Sequence, residues 1–332
     1  MRVELQNSIF SGNVMNVTLI ALFHFGSKDR HRVLLADDHE ASDGRLWINH
    51  LDEITKSEIE LILDVGAEKE ALEPSKRTLE VHAVTKSPNK NFLRLGVDEA
   101  LFFLGKPISI LVENSINDRD FLMAMLEKEH KEQFEHFIKS GDLLFDHGGG
   151  NTGVPARMKE LPNDARENRL LYVLIDSDAL LPSRPSIKAE EIYEICKVKG
   201  VLFHPMKRRA AENYLVKSQL YSWAGESHRL SNREKHKKVD AFLKLDEKQQ
   251  HHFKMRDGFE KDEQNDDAKQ IQADWDQFYN TVTPVNRNLL KNGFGNSIRE
   301  LFATNPPKEK ELRAGGHFDE FSEVARTILS ML

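Results

Sequence analysis

Carboxylates at the ends of short apolar runs pose the first chemical question in this sequence. The stretch "ISILVENSINDRDFL" (108–122) places Glu113 directly after an apolar run, with Asp118 five residues on. A second stretch, "RLLYVLIDSDAL" (169–180), ends its run in Asp176 and Asp178. Two carboxylates at i and i+2 beyond a strand can point the same way, and Glu113 can face them from a neighbouring strand. Crowded carboxylates raise one another's pKa unless a cation neutralises them. The expected occupant is Mg2+ or Mn2+, which take oxygen ligands and often bridge to phosphate. Each piece also has a plainer reading. Asn114, Ser115 or Asp118 can cap a following helix, and an Asp-x-Asp can be a turn whose side chains bond nearby backbone.

The elements that must position these residues follow from residue 105 onward. An apolar strand over 108–112 precedes a helical stretch near 118–139. A second strand lies in "DLLFDHGGGNTG" and breaks into Gly148 and Gly149, a third runs over 170–175, and a helix over 187–199 leads to a fourth in "GVLFHPM". This alternation predicts an α/β fold, Rossmann-like, with a mostly parallel sheet and helices on both faces. In such sheets ligands bind at the carboxyl ends of the strands, where these carboxylates fall. Before residue 105, "NVTLIALFHFG" (16–26), "HRVLLAD" and "RTLEVHAV" read as strands, "LDEITKSEIELILDVGA" and "VDEALFFLG" as helices, and "SKDR" and "SPNK" as turns. We read 1–105 as a small α+β domain for interaction or regulation, 106–222 as the domain carrying the carboxylates, and 223–332 as a mainly helical extension.

Composition bounds the chemistry. With 332 residues, 39% hydrophobic and 30% charged, the chain suits a soluble protein of about two domains. No run approaches the ~18–20 apolar residues of a membrane span. "MRVELQNSIF" lacks the apolar core of a signal peptide, so a cytoplasmic location is expected. Cys196 is the single cysteine, which excludes an intrachain disulfide and a thiolate zinc cluster; beside Ile192 and Ile195 it reads as core. The net charge of −7 argues against coating nucleic acid through bulk charge. Local basic runs remain at Lys207-Arg208-Arg209 and in "HRLSNREKHKK" (228–238), set against an acidic run at 257–276. Glu212 stands four residues after Arg208, so an i,i+4 ion pair competes with any metal role for it. His251 and His252 diverge on a helix and read as surface residues, and His147 as a turn-facing side chain. No P-loop signature is present.

Taken together, "ILVENSINDRDFL", "FDHGGGN", "YVLIDSDAL" and "HPMKRRAAENYLV" resemble the motifs of the TOPRIM domain, the metal-binding fold of topoisomerases, primases and the overcoming-lysogenization-defect nucleases. The Glu-Asn-Tyr element and "LKNGFGNSIRELF" (290–302) are similar to the stand-alone TOPRIM effectors paired with an ABC-type ATPase in bacterial phage defence. The resemblance covers about residues 105–303. It implies Glu113 as metal ligand or general acid/base, Asp176 and Asp178 as metal ligands, and Asp118 as ligand to a second ion. Lys207, Arg208 and Arg209 would neutralise phosphate beside the backbone of Gly148 and Gly149, with Glu212 as a further metal or structural group.

Two departures stand out: Asn114 replaces the glycine usual after the glutamate, and Asp118 stands one residue further on than the family's aspartate. Either the loop carries one extra residue or Asn117 has taken that aspartate's place. The expectation is a Mg2+- or Mn2+-dependent nuclease acting on DNA or RNA, an antiphage effector with a separate ATPase partner and possible homo-oligomerisation. The alternative is a catalytically degraded regulatory or nucleic-acid-binding subunit. A primase-like transferase lacks any accompanying polymerase or zinc-ribbon signature.

Overall fold

The computed structural model describes residues 1–11, 14–28, 30–84, 93–162, 166–226 and 228–332, excluding the side chains of 150–152, 231 and 266–267. The expected turn at 87–90 and Asp29 of "SKDR" lie outside the described residues. The chain divides into two compact units. One comprises Met1–Ile108, Phe137–Leu143 and Arg326–Leu332, and the other Ser109–His136 and Leu144–Ala325. Residues 106–222 and 223–332, read apart in the sequence, thus fall mostly into one unit.

In the first unit, strands Arg2–Leu5 (β1), Arg32–Leu35 (β2), Thr78–His82 (β3) and Leu93–Gly96 (β4) form a sheet in the order β2-β1-β3-β4, parallel at every pairing. Alternate residues such as Val3, Leu5, Val33 and Val81 are buried, and their strand neighbours are less so. Parallel neighbours need crossovers, and helices Asn16–His24 and Glu53–Leu72 lie in the connections from β1 to β2 and from β2 to β3. This unit is therefore α/β, which corrects the expected α+β domain. The error sits in "NVTLIALFHFG", expected as a strand but folded as the helix Asn16–His24. Its apolar run is nearly continuous, so alternation cannot be tested there, and the buried positions Leu19, Leu22 and Phe23 follow helical spacing.

The second sheet comprises Ile108–Val112 (β5), Leu143–His147 (β6), Leu171–Ile175 (β7) and Leu202–Pro205 (β8), parallel in the order β6-β5-β7-β8. β7 is buried along its whole length, as a central parallel strand covered on both faces should be. Leu111, Val173 and Ile175 pack with Val154 and Met158 of helix Gly150–Glu160 and with Ile192 and Cys196 of helix Ile187–Lys199. Burial pushes the Cys196 thiol up to about 12, in keeping with a core role. The helical stretch after β5 divides into Asn117–Met125 and Lys128–Ser140. Phe121 on the first of these meets the rings of Phe302 and Phe321 edge-on at 5.0 and 5.3 Å. Among the described residues no helix is long and apolar enough to cross a membrane.

Candidate functional site

The register of β5 against β7 pairs Leu111 with Val173. Continuing it sets Glu113 beside Ile175, one residue before Asp176, so both strands deliver a carboxylate at the same sheet edge. Asn114 turns the chain there. Its Oδ1 accepts from the backbone N–H groups of Ile116 and Asn117 at 3.1 and 3.0 Å, and its own N–H donates to Asp118 Oδ2 at 2.9 Å. Asn114 thus leads into the helix Asn117–Met125. It is Asp118 of that first turn, 4% exposed, that joins the other carboxylates.

Asp176 is 6% exposed and its Oδ1 accepts from the Ala211 N–H at 3.0 Å. Asp178 has a left-handed backbone (φ 47°), and its N–H donates to the Arg209 carbonyl at 2.8 Å. The short 3-10 helix Ala211–Tyr214 brings in Glu212, 1% exposed, with neither carboxylate oxygen hydrogen-bonded. Asn213 holds this element through Nδ2 to the carbonyls of Gln250 and Phe253, while the Tyr214 hydroxyl bonds Glu320.

The guanidinium of Arg299, 7% exposed, lies among these acids. Its Nη2 bonds Asp118, and Nη1 stands 3.5 Å from Asp176 Oδ2 and 3.8 Å from Glu212 Oε1. Arg256 approaches Glu212 Oε1 at 3.4 Å from a more exposed position. Arg299 is the cation buried among these five carboxylates, with Arg256 beside Glu212, while Arg209, Lys254 and Arg256 act on Asp178 from further off. Glu113 is pushed up to about 9, first by burial and then by the like charges of Asp176, Asp178 and Asp118, against which Arg299 acts. Burial raises Asp118 to about 6 against the pull of Arg299, and burial with Asp176 raises Asp178. Burial also raises Glu212. For Arg299 burial works against the charged form and is outweighed by Asp176, Glu212, Asp118 and Glu113, so its proton is held more firmly than usual.

The donors are all carboxylate oxygen, and two buried oxygens of Glu212 have no donor. In charge and donor type the site fits a hard divalent cation. In arrangement, among the described residues, no group of three or more His, Cys, Asp or Glu side chains is set to hold a metal ion. Asp118, Asp176 and Glu212 are gathered around a guanidinium instead.

The basic candidates separate. Lys207 is exposed. Arg208 donates to the carbonyls of Asn213 and Gly315 at 2.7 and 3.3 Å and lies 4.7 Å over the Tyr214 ring. Arg209, 2% exposed, makes a two-pronged pair with Asp262, both bonds 2.7 Å, and this removes it from the phosphate-binding candidates. Residues 207–210 are not helical, so the i,i+4 pair of Arg208 with Glu212 does not form; the ion partners of Glu212 are Arg299 and Arg256.

Gly148 and Gly149 form a tight turn next to Glu113. The Gly148 N–H donates to the Val112 carbonyl at 2.8 Å, and a Cβ there would sit 2.1 Å from Val154 Cγ2. Gly149 has φ 85°, a conformation glycine adopts freely. His147 is exposed. His252 is not a surface residue. It is 4% exposed, and its Nδ1 lies 3.0 Å from the Ala179 carbonyl, which can only accept, so Nδ1 carries the proton.

Arg299, Arg256 and the Arg209–Asp262 pair are the residues that reading by motif missed. Arg299 stood inside the quoted segment 290–302, but a single arginine carries no local mark of its partners. No family model, no curated protein and no solved structure matches the chain.

Proposed function

We propose that the chain is a Mg2+- or Mn2+-dependent nuclease of the TOPRIM class. The observation that carries this reading is the surplus of carboxylate at the carboxyl ends of β5 and β7, where Glu113 is pushed up to about 9 and Glu212 lacks any hydrogen-bond donor. Glu113, Asp176 and Asp178 would hold the ion. When bound, it supplies polarisation of the scissile phosphate and a lower pKa for the attacking water. Glu113, half-buried at the site's edge, is the group able to hold or release a proton there. Lys207 is the exposed cation that can meet a phosphate. The finer reading, an antiphage effector working with a separate ABC-type ATPase, rests on the motif resemblance and on the missing P-loop signature.

The test is cleavage of plasmid DNA and of bulk tRNA with Mn2+, with Mg2+ and with EDTA. Cleavage dependent on either ion and abolished in Glu113→Gln is expected. Ion-independent cleavage, or an active Glu113→Gln variant, would overturn the reading.

A second reading has its own observation, the pairing of Arg299 with Asp118 and Asp176. An acidic cluster compensated by an arginine can be the remnant of a metal site in a regulatory, nucleic-acid-binding subunit. Nucleic-acid binding without cleavage under every ion would select it.

A further inference from the structure

Helix Glu53–Leu72 of the first unit has two apolar faces. Asp52 caps its start, with Oδ1 accepting from the Ile54 and Thr55 N–H groups at 3.2 and 3.1 Å. On the inner face Ile59, Leu63 and Gly66 are buried, and a Cβ on Gly66 would stand 2.8 Å from the Val33 carbonyl oxygen of β2. On the outer face Ile54, Leu61 and Leu72 are 74%, 64% and 79% exposed. At 3.6 residues per turn these three lie within about 20° of one line, roughly 140° around the helix from the inner residues, and span about 27 Å.

Single exposed apolar side chains are ordinary, and the solvent face of a helix on a sheet is usually polar. An aligned row is different, because its spacing is that of a helix-packing seam. Ile54, Glu58, Leu61, Val65, Glu68 and Leu72 follow one another at alternating steps of four and three, the spacing at which a second helix seats its side chains. Val65 is half-buried, and Glu58 and Glu68 are exposed.

The two glutamates decide what can cover the row. Among the described residues no hydrogen bond or ion pair reaches either carboxylate. A second copy of the helix at full overlap sets each glutamate against its own equivalent when parallel, and Glu58 against Glu68 twice when antiparallel. Like charges oppose both pairings. Exposed Asp64 flanks the row on one side and half-buried Lys69 on the other, so the surface stays net negative, which also disfavours an anionic lipid surface.

We infer that the outer face of Glu53–Leu72 docks an amphipathic helix of a partner protein, with leucine, isoleucine or valine meeting Ile54, Leu61, Val65 and Leu72, and lysine or arginine meeting Glu58 and Glu68. The apolar row supplies the burial, and the glutamates select the partner's charge. Docking at this face does not depend on the proposed nuclease activity.

The experiment measures binding of the full chain to two labelled synthetic helices by fluorescence anisotropy, with the folding of every variant checked by circular dichroism. Both helices carry leucine at the positions that meet the apolar row. One carries lysine, and the other glutamate, at the two positions that meet Glu58 and Glu68. The lysine helix should bind about tenfold or more tightly than the glutamate helix, Leu61→Asp should weaken it about tenfold, and Glu58→Lys with Glu68→Lys should reverse the preference. The charge reversal decides the matter if Leu61→Asp does not fold. Equal binding of the two helices, undiminished binding to folded Leu61→Asp, or no binding of the lysine helix at about 100 µM would overturn the inference. A native dimer that Leu61→Asp dissociates would also overturn it, by putting a second copy on the face. Retention of the native chain, but not of Leu61→Asp, on phosphatidylglycerol vesicles would overturn it in favour of a lipid surface.

Discussion

Arg209 and Arg299 are both buried in the second unit, at 2% and 7% exposure, yet they face opposite situations. Arg209 has one carboxylate, Asp262, which it meets through two bonds of 2.7 Å, with a third bond from Nη1 to the His252 carbonyl. Every charge there has a dedicated partner. Arg299 is shared among Asp118, Asp176 and Glu212, has Nε unbonded, and leaves Glu212 without a donor. Burial alone therefore does not separate a structural ion pair from a site. The ratio of charges and the completeness of hydrogen bonding do, because a closed pair offers a ligand nothing while an open cluster does.

The largest expected effect falls on the closed pair. Arg209→Ala or Asp262→Ala leaves a buried charge alone and should cost about 3 to 5 kcal/mol in urea unfolding. The double replacement Arg209→Met with Asp262→Leu should recover most of that loss, since a well-packed apolar pair avoids the desolvation penalty. A loss below about 1 kcal/mol in the single variants would show that Arg209 is not the structural partner described here.

The open cluster should respond to pH. Glu113 sits near 9 in the folded chain against an ordinary 4.5. Between those values the folded state holds a proton that the unfolded state has released, so metal-free stability should fall as pH rises through the window. Asp118, raised from 3.8 to about 6, adds to the same trend at its acid end. Glu113→Gln removes the larger contribution. Measured in EDTA, its stability should gain on the native protein by up to about 1.4 kcal/mol per pH unit. Saturating Mn2+ should flatten the native profile. Parallel profiles for the two proteins would mean that Glu113 ionises normally and the cluster is not overcharged.

Much of this arrangement could be read in the sequence where the signal is local. The apolar runs before Glu113 and Asp176 marked β5 and β7, and the glycines after β6 marked its tight turn, because strand burial and backbone conformation are written in neighbouring residues. Helix Asn16–His24 was missed because its apolar run is nearly continuous and shows neither period clearly. Arg299 was missed for another reason. Its partners Asp118 and Asp176 lie far away in the chain and are brought to it by tertiary packing, including Phe302 against Phe121 and the interlocked turns at Gly258 and Gly293. The Lys207-Arg208-Arg209 run misled in a third way, since three adjacent cations look like one surface and the backbone turns them to different fates. The acidic run at 257–276 did likewise, because it supplies the buried Asp262.

The smallest expected effect uses that divergence. Lys207 is exposed, so Lys207→Ala should leave unfolding stability within about 0.5 kcal/mol, in contrast to Arg209→Ala two residues on. In the proposed nuclease it should lower the slope of log binding constant against log salt by about 0.7 for a single strand or about 0.9 for a duplex, the value of one phosphate contact. The 228–238 run offers less by comparison. Arg229 pairs with Glu226 at 2.8 Å and Lys237 with Glu234 at 2.9 Å, Lys238 donates to the Gly293 carbonyl, and Lys235 lies 5.1 Å over the Trp223 ring. An unchanged slope in Lys207→Ala would therefore remove the one freely exposed cation of 207–209 from the substrate path. Among the basic runs, exposed Arg233 of 228–238 would then be the next cation to replace in the same salt titration.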